Sequence, residues 1–219
     1  DTVVRDGALK TLLDFVDQGP SVGMAGPRLV YADGGFQHSA FRFPSLAQIL
    51  FDLFPIHHRL QDSRLNGRYP RSLYDSGQPF PVDHPLGACM IVRRLALEQV
   101  GGLDEQFFMY CEEVDWAMRM KRAGWDVYCV PEAQVMHHAG QSTGQFRDKM
   151  FVALWRSRLR LFGKHYGPLY NSAARVVIRL GIRHISVRAR READAGLISS
   201  AELDGRLAAY ERVRAMTYG

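Results

Sequence analysis

Cysteine is scarce and scattered, with three in 219 residues: Cys89, Cys111 and Cys129. The odd count, the wide spacing and the lack of any CxxC or Cys–His ligand pattern argue against a disulfide framework and a zinc site. Each thiol sits inside an apolar run, the setting of a buried, reduced cysteine in a cytoplasmic protein. Long hydrophobic runs are also lacking. No apolar stretch nears the roughly 18 to 20 residues that span a bilayer, and no segment combines a basic start, an apolar middle and a small-residue cleavage site. The expected location is the cytoplasm, either free or peripheral on the inner face of the cell membrane. No internal repeat or low-complexity tract is present. Acid is nearly absent from one region: residues 147–191 hold twelve Lys and Arg against Asp148 alone, which leaves the rest of this +5 chain at a balance of −6. So polarised a chain suggests an anionic partner for its C-terminal part, lipid headgroups or a polyanion, and no nucleic acid.

What is present is enough apolar side chain, 47% hydrophobic, for one sizeable core and an appendage. Leu9, Leu12, Leu13 and Val16 mark a helix ended by Gly19-Pro20, and Val22–Ala25 and Arg28–Tyr31 read as strand pieces around Gly26-Pro27. Residues 45–54 form a short apolar helix, and 55–82 read as a long surface loop. Gly87 to Val92 fits a strand buried on both faces, and 95–100 a short helix stopped by Gly101-Gly102. A helix over 112–123 ends at Gly124, Val127–Val130 is a strand closed by Pro131, and 133–137 a further one. Beyond Gly144 the chain is helical and basic, with breaks expected at Gly163, Gly167-Pro168 and Gly181. Alternating strands and helices predict an α/β layered fold.

Chemistry concentrates in 109-MYCEEVDWAMR-119, where Glu112, Glu113 and Asp115 crowd into four positions at a helix start. First-turn carboxylates are ordinary there, because free backbone N–H groups favour anions by about 0.3 to 1 kcal/mol. Three together, preceded by the apolar 107-FFMYC-111, repel one another in a partly buried setting, and the cluster calls for a cation or a substrate proton. His137 is a candidate partner, since imidazole and carboxylate together suit Mn²⁺ or Mg²⁺ beside phosphate. A packed or exposed histidine is the plainer alternative.

The run 86-LGACMIVRRLALEQVGGLDEQFFMYCEEVDWAMRMKRAGWDVYCVPEAQVMHHAGQST-143 resembles the C-terminal half of the catalytic domain of family 2 glycosyltransferases, in particular bacterial rhamnosyltransferase-like members. Those enzymes read G-A-C, then M or F, two hydrophobics and R-R, then G-G-F-D-E-x-F-F-x-Y-x-E-D-x-D-L-x-x-R, then, after further elements, H-x-x-G-x-S. The likeness is dense over these residues and looser from 1 to about 168. It implies a GT-A type mixed sheet flanked by helices over 1–146, followed by a basic helical extension over 147–219. It implies inverting transfer of a sugar from a dTDP- or UDP-sugar to a glycan or lipid-linked acceptor.

The family's general base falls on Glu113, where an Asp is usual, with Glu112 and Asp115 holding the loop and placing the acceptor. Asp1 matches the metal-binding aspartate at the end of a strand, and His137 a histidine ligand, so Mn²⁺ or Mg²⁺ is implied. The nucleotide-binding strands of the family would precede Asp1. Gly87 and Ala88 would allow close approach of a sugar or pack as small residues, Asp83 would touch the acceptor, and Trp116 would stack on a sugar or fill the core. Arg119, on nearly the face of Glu112, would neutralise the acids. Arg175, Arg179 and Arg183 recur every four residues opposite Val176, Val177, Leu180 and Ile185, the layout of a helix on an anionic bilayer or of a solvated charged face. A metal-dependent hydrolase and a non-catalytic membrane-surface module remain open alternatives.

Overall fold

The computed structural model describes residues 1–55, 57–138 and 147–218, apart from the side chains of His58 and Arg59. The Gly-x-Ser end of the H-x-x-G-x-S motif and the expected boundary at 146 lie outside the described residues. In chain order the elements are β1 (Thr2–Val4), α1 (Ala8–Gln18), β2 (Val22–Val30), β3 (Phe36–Gln37), β4 (Ala40–Phe41), α2 (Leu46–Leu53), α3 (His58–Gln61) and, after a 3₁₀ turn at Arg64–Asn66, α4 (Arg71–Asp75). There follow β5 (Phe80–Pro81), β6 (His84–Pro85), β7 (Ile91–Val92), α5 (Arg94–Val100), α6 (Glu112–Arg122), β8 (Asp126–His137), α7 (Arg147–His165), α8 (Pro168–Asp194) and α9 (Ser200–Ala215).

The chain forms two compact units. The first comprises Asp1–Phe43, Asp62–Gln106 and the segment from Glu112 through β8. Its frame is β2 and β8, paired in parallel, with β1 and β5 on the outer edge of β8 and β3 and β7 on that of β2, all four antiparallel. The fold class is the expected one, a mixed sheet flanked by helices. Alternation along the two long strands feeds two cores. Met24, Val127 and Cys129 meet Trp116 and Met120 of α6 on one face, joined by Tyr74 and Phe80. Leu29, Val130 and Val135 meet Leu12 and Val16 of α1 on the other. Each fully buried side chain of this size is worth about 1.5–3 kcal/mol.

Prolines do not end the long strands as expected from sequence. β2 runs through Pro27 and β8 through Pro131, because the pairing steps from Pro27↔Val130 to Arg28↔Gln134 and leaves 131–133 as a bulge. A proline, having no N–H to give the ladder, is tolerated at such a bulge. The run 87–92 is likewise not a strand buried on both faces. Gly87–Cys89 forms a turn, only Ile91–Val92 pair with β2, and Gly87 is exposed. Nor is 55–82 a structureless loop: it carries α3, α4 and β5, and Tyr74 within it is fully buried with its hydroxyl against the Ala40 backbone.

The second unit gathers Pro44–Gln61, Phe107–Cys111 and α7 to α9. Ser45 caps α2 in a reciprocal box with Gln48, and Ile49 and Leu53 pack against Trp155, Phe162, Ile178 and Val213. The expected break at Gly167-Pro168 separates α7 from α8. Gly163 and Gly181 instead stay helical; a Cβ on Gly181 would come within 2.5 Å of Leu53, so this glycine serves close helix packing.

Candidate active site

Glu112 and Glu113 open α6 directly after Tyr110 and Cys111, both with a φ of 68°. That left-handed conformation costs a side-chain-bearing residue roughly 1–2 kcal/mol and persists only where the surroundings enforce it. Here Cys111 is buried, and the Ser157 hydroxyl donates to the Met109 carbonyl at 2.7 Å.

The three carboxylates of α6 part ways. Asp115 has no exposed surface, and Arg119 Nε donates to it at 2.8 Å. The same guanidinium donates to the carbonyls of Val100 (2.5 Å) and Gly102 (2.7 Å), so the pair clamps the turn that ends α5. Trp116 joins that clamp, its ring in the core and its indole N–H on the Gly101 carbonyl at 2.9 Å. Arg119 thus neutralises Asp115 rather than Glu112. Glu112 keeps a buried Oε2 without a hydrogen-bond partner among the described residues. Burial, then the neighbouring Glu112 charge, pushes the Glu113 pKa up to about 7, against the pull of the Glu113 and Val114 backbone N–H groups. A buried oxygen with no donor beside a carboxyl balanced near neutrality is a site short of a hydrogen-bonding, proton-giving ligand.

Gly87 faces Glu113. A Cβ there would lie 3.7 Å from Cβ, Cγ and Cδ of Glu113, so the glycine turn leaves one side of the carboxylate stem open. Ala88 packs against the α1-side core. Asp83, between β5 and β6, accepts from the Phe43 N–H at 2.9 Å through its carboxylate, which also lies 3.8 Å from Lys121 Nζ, and its own N–H donates to the Tyr69 hydroxyl oxygen at 3.0 Å.

Asp1 and His137 come together through the sheet. β1 pairs with β8 at Thr2↔His137, the His138 N–H donates to the Asp1 carbonyl at 2.9 Å, and Asp1 Oδ1 lies 3.6 Å from His137 Nε2. Burial first, and then the neighbouring His138, lower the His137 pKa, which favours neutral imidazole. Its Nδ1 meets Gln37 Oε1 at 3.3 Å. With that nitrogen donating to Gln37, an unprotonated Nε2 faces a carboxylate oxygen, a donor set that suits a divalent cation, with Gln37 fixing the ring as outer partners of metal-binding histidines do. Among the described residues no three or more His, Cys, Asp and Glu gather as a metal cage.

The two clusters are linked by the β3–β4 connection. Gln37 holds His137, while two residues on, the Ser39 carbonyl accepts the Leu86 N–H at 2.7 Å, next to Gly87. Sequence reading missed Gln37, because nothing local marks a glutamine whose role is set by strand register.

Residues 1–160 match the family described as Glycosyltransferase like family 2. The chain belongs to this family of glycosyltransferase-like proteins. Among related proteins, the N-acetylglucosaminyl-diphospho-decaprenol L-rhamnosyltransferase of Mycobacterium tuberculosis is 32% identical over 195 residues, covering 83% of this chain and 60% of that protein. The chain therefore spans less than two thirds of that relative's length. The rhamnosyltransferase WbbL of Escherichia coli is 36% identical over 83 residues, 38% of this chain and 31% of WbbL. A low-salt glycan biosynthesis hexosyltransferase, Agl10 of Haloferax volcanii, is 32% identical over 74 residues, 34% of this chain and 24% of Agl10. The family match covers the whole of the first unit's sheet and both carboxylate and histidine clusters.

Proposed function

We propose that this chain carries the acceptor-activating part of an inverting glycosyltransferase that moves a sugar from a nucleotide-diphosphate donor to a hydroxyl of a glycan or lipid-linked acceptor. The observation that carries the reading is Glu113: a carboxyl with a pKa near 7, bordered by a glycine turn and by an unpartnered oxygen of Glu112. A base tuned to the working pH is what removal of a hydroxyl proton asks for. Glu113 takes that proton as the acceptor oxygen attacks the anomeric carbon, and the nucleoside diphosphate departs from the opposite face. Glu112 helps twice, because its charge raises the basicity of Glu113 and its free oxygen accepts a second acceptor hydroxyl.

Asp115 and Arg119 act at one remove, fixing the first turns of α6 so that Glu113 meets the acceptor. Asp1 and His137 would hold Mn²⁺ or Mg²⁺, which when bound neutralises charge gathering on the leaving diphosphate. Rhamnose as the transferred sugar is supported by the names of two relatives, and a diphospho-polyprenol acceptor by the name of the mycobacterial one, while a dTDP or UDP carrier is the expectation of the family resemblance.

The test is turnover of the whole protein with Glu113→Gln and Glu113→Asp. The amide keeps shape without basicity and is expected to lower kcat by about 10² to 10⁴. The aspartate, the residue usual in the family, is expected to retain a substantial part of the activity. Turnover of the amide variant within about tenfold of wild type would remove Glu113 from the role of base.

A further inference from the structure

α8 presents an apolar line to solvent on the side opposite its core. Ala174, Ile178, Ile182 and Ala189 are buried, and Gly181 sits against Leu53, so one face of the helix is fully used. At about 100° per residue, Leu169, Val176, Leu180 and Val187 fall within an arc of about 40° on the other face. They are 88%, 44%, 56% and 41% exposed, far more than a surface helix needs to leave uncovered.

Arginines flank this line. Arg183 and Arg190 lie on one side of it and Arg191 on the other, all exposed and without an ion pair among the described residues. The other arginines of α8 are committed. Arg175 and Arg179 donate to the Met216 and Thr217 carbonyls at the C-terminus of α9, at 3.2 and 3.1 Å, and Arg188 binds Glu192. A groove lined by Pro55, Leu180, Arg183, Val187, Arg188 and Arg191 opens along the strip. The acids near it are engaged, Glu192 with Arg188 and Arg206 and Glu211 with Arg214, while Asp194 at the helix end has no ion pair among the described residues.

We propose that this strip is a docking surface for an anionic phospholipid bilayer, with Leu180 and Val187 entering the headgroup boundary and Arg183, Arg190 and Arg191 meeting lipid phosphates. A soluble polyanion satisfies the arginines but gives no reason for the apolar line between them, and burial of that line together with flanking cations is how interfacial helices bind. No helix among the described residues is long and apolar enough to cross a membrane, so the contact is one of surface. The arginines that carry it differ from those that the four-residue spacing singles out, since only Arg183 of that series is free.

Vesicle co-sedimentation of the full chain, without donor or acceptor, tests this independently of sugar transfer. Binding to phosphatidylcholine vesicles containing phosphatidylglycerol is expected to exceed binding to phosphatidylcholine alone by at least tenfold. Each of Arg183→Gln, Arg190→Gln and Arg191→Gln is expected to weaken it by about fivefold. The double variant Leu180→Gln, Val187→Gln, which removes the apolar line without adding charge, is expected to abolish it with circular dichroism unchanged and melting little altered, because about half of each side chain is already exposed. Arg188→Gln serves as a control with a smaller effect. Equal binding to neutral and anionic vesicles would overturn the proposal. So would loss in the arginine variants with full retention in the Leu180, Val187 double variant, the pattern of generic polyanion binding.

Discussion

Replacing Glu113 by glutamine separates the stability of the site from its chemistry. The Glu113 pKa rises from an ordinary 4.5 to about 7 on folding. Between those values the folded protein holds a proton that the unfolded chain releases. Stability is therefore fully present below pH 4.5 and is lost as pH climbs through 7. A gap of about 2.5 pH at about 1.4 kcal/mol per pH gives about 3–4 kcal/mol, an upper figure because the unit relaxes around the charge. Glutamine carries no such charge. The variant is thus expected to lie within about 1 kcal/mol of wild type near pH 5 and to exceed it by about 2–3 kcal/mol near pH 8.5. At roughly 2–4 °C per kcal/mol for a chain of this size, that is about 5–10 °C in Tm. Differential scanning calorimetry from pH 5 to 8.5 reads the difference directly. Parallel pH profiles, or a variant less stable than wild type at pH 8.5, would refute the claim that an uncompensated carboxylate is held there. In the wild-type enzyme, kcat is expected to rise with pH through about 7 as the base loses its proton, and the Glu113→Asp profile to shift with the new carboxyl.

Other outcomes follow from the same geometry. Asp115→Ala strands the Arg119 guanidinium among the Val100 and Gly102 carbonyls and is expected to lower stability by about 3 kcal/mol, read as a lower urea midpoint at unchanged slope. Gln37→Leu removes the partner that orients His137 and is expected to weaken Mn²⁺ binding tenfold or more by calorimetry, with no change in melting of the metal-free protein. Gly181→Ala gains about 1 kcal/mol in helix propensity but drives a methyl into Leu53, for about 1–3 kcal/mol against it; a lower Tm is the expected net result. Ser45→Ala, which removes the α2 cap, is expected to destabilise by about 1 kcal/mol in a denaturant melt.

Much of the fold was readable where apolar period and punctuation agree. α1, α5 and α6 fall where their spacing and their glycine stops place them, and α2 where its apolar run does, since helix signals are local. Strand limits were harder to read. Pro27 and Pro131 look like stops in one dimension, but a bulge between partnered strands absorbs both, and only the pairing reveals it. The apolar run at 87–92 imitates a buried strand because the turn at Gly87–Cys89 is packed on one side by the α1-side core. At the site, the acidic cluster and His137 were visible as residue types, and Asp1 only through the family resemblance. The division of labour within the cluster was not. Helix geometry puts Arg119 near both Glu112 and Asp115, and the choice between them is made by the Val100 and Gly102 carbonyls, which belong to another element. The free arginines of α8 show the same limit, because the C-terminus of α9 decides which members of the series are occupied.

The bulge at 131–133 has one further consequence. In a strand, side chains alternate sides, so the number of residues between Val130 and His137 sets the phase of everything downstream. Deleting one residue of the bulge would turn Val135 out of the core and carry the imidazole of His137 to the opposite surface of the sheet, away from Gln37. The proline detour thus works as a spacer of odd length, and the side of the sheet on which His137 stands is decided by the kink just upstream of it in the same strand.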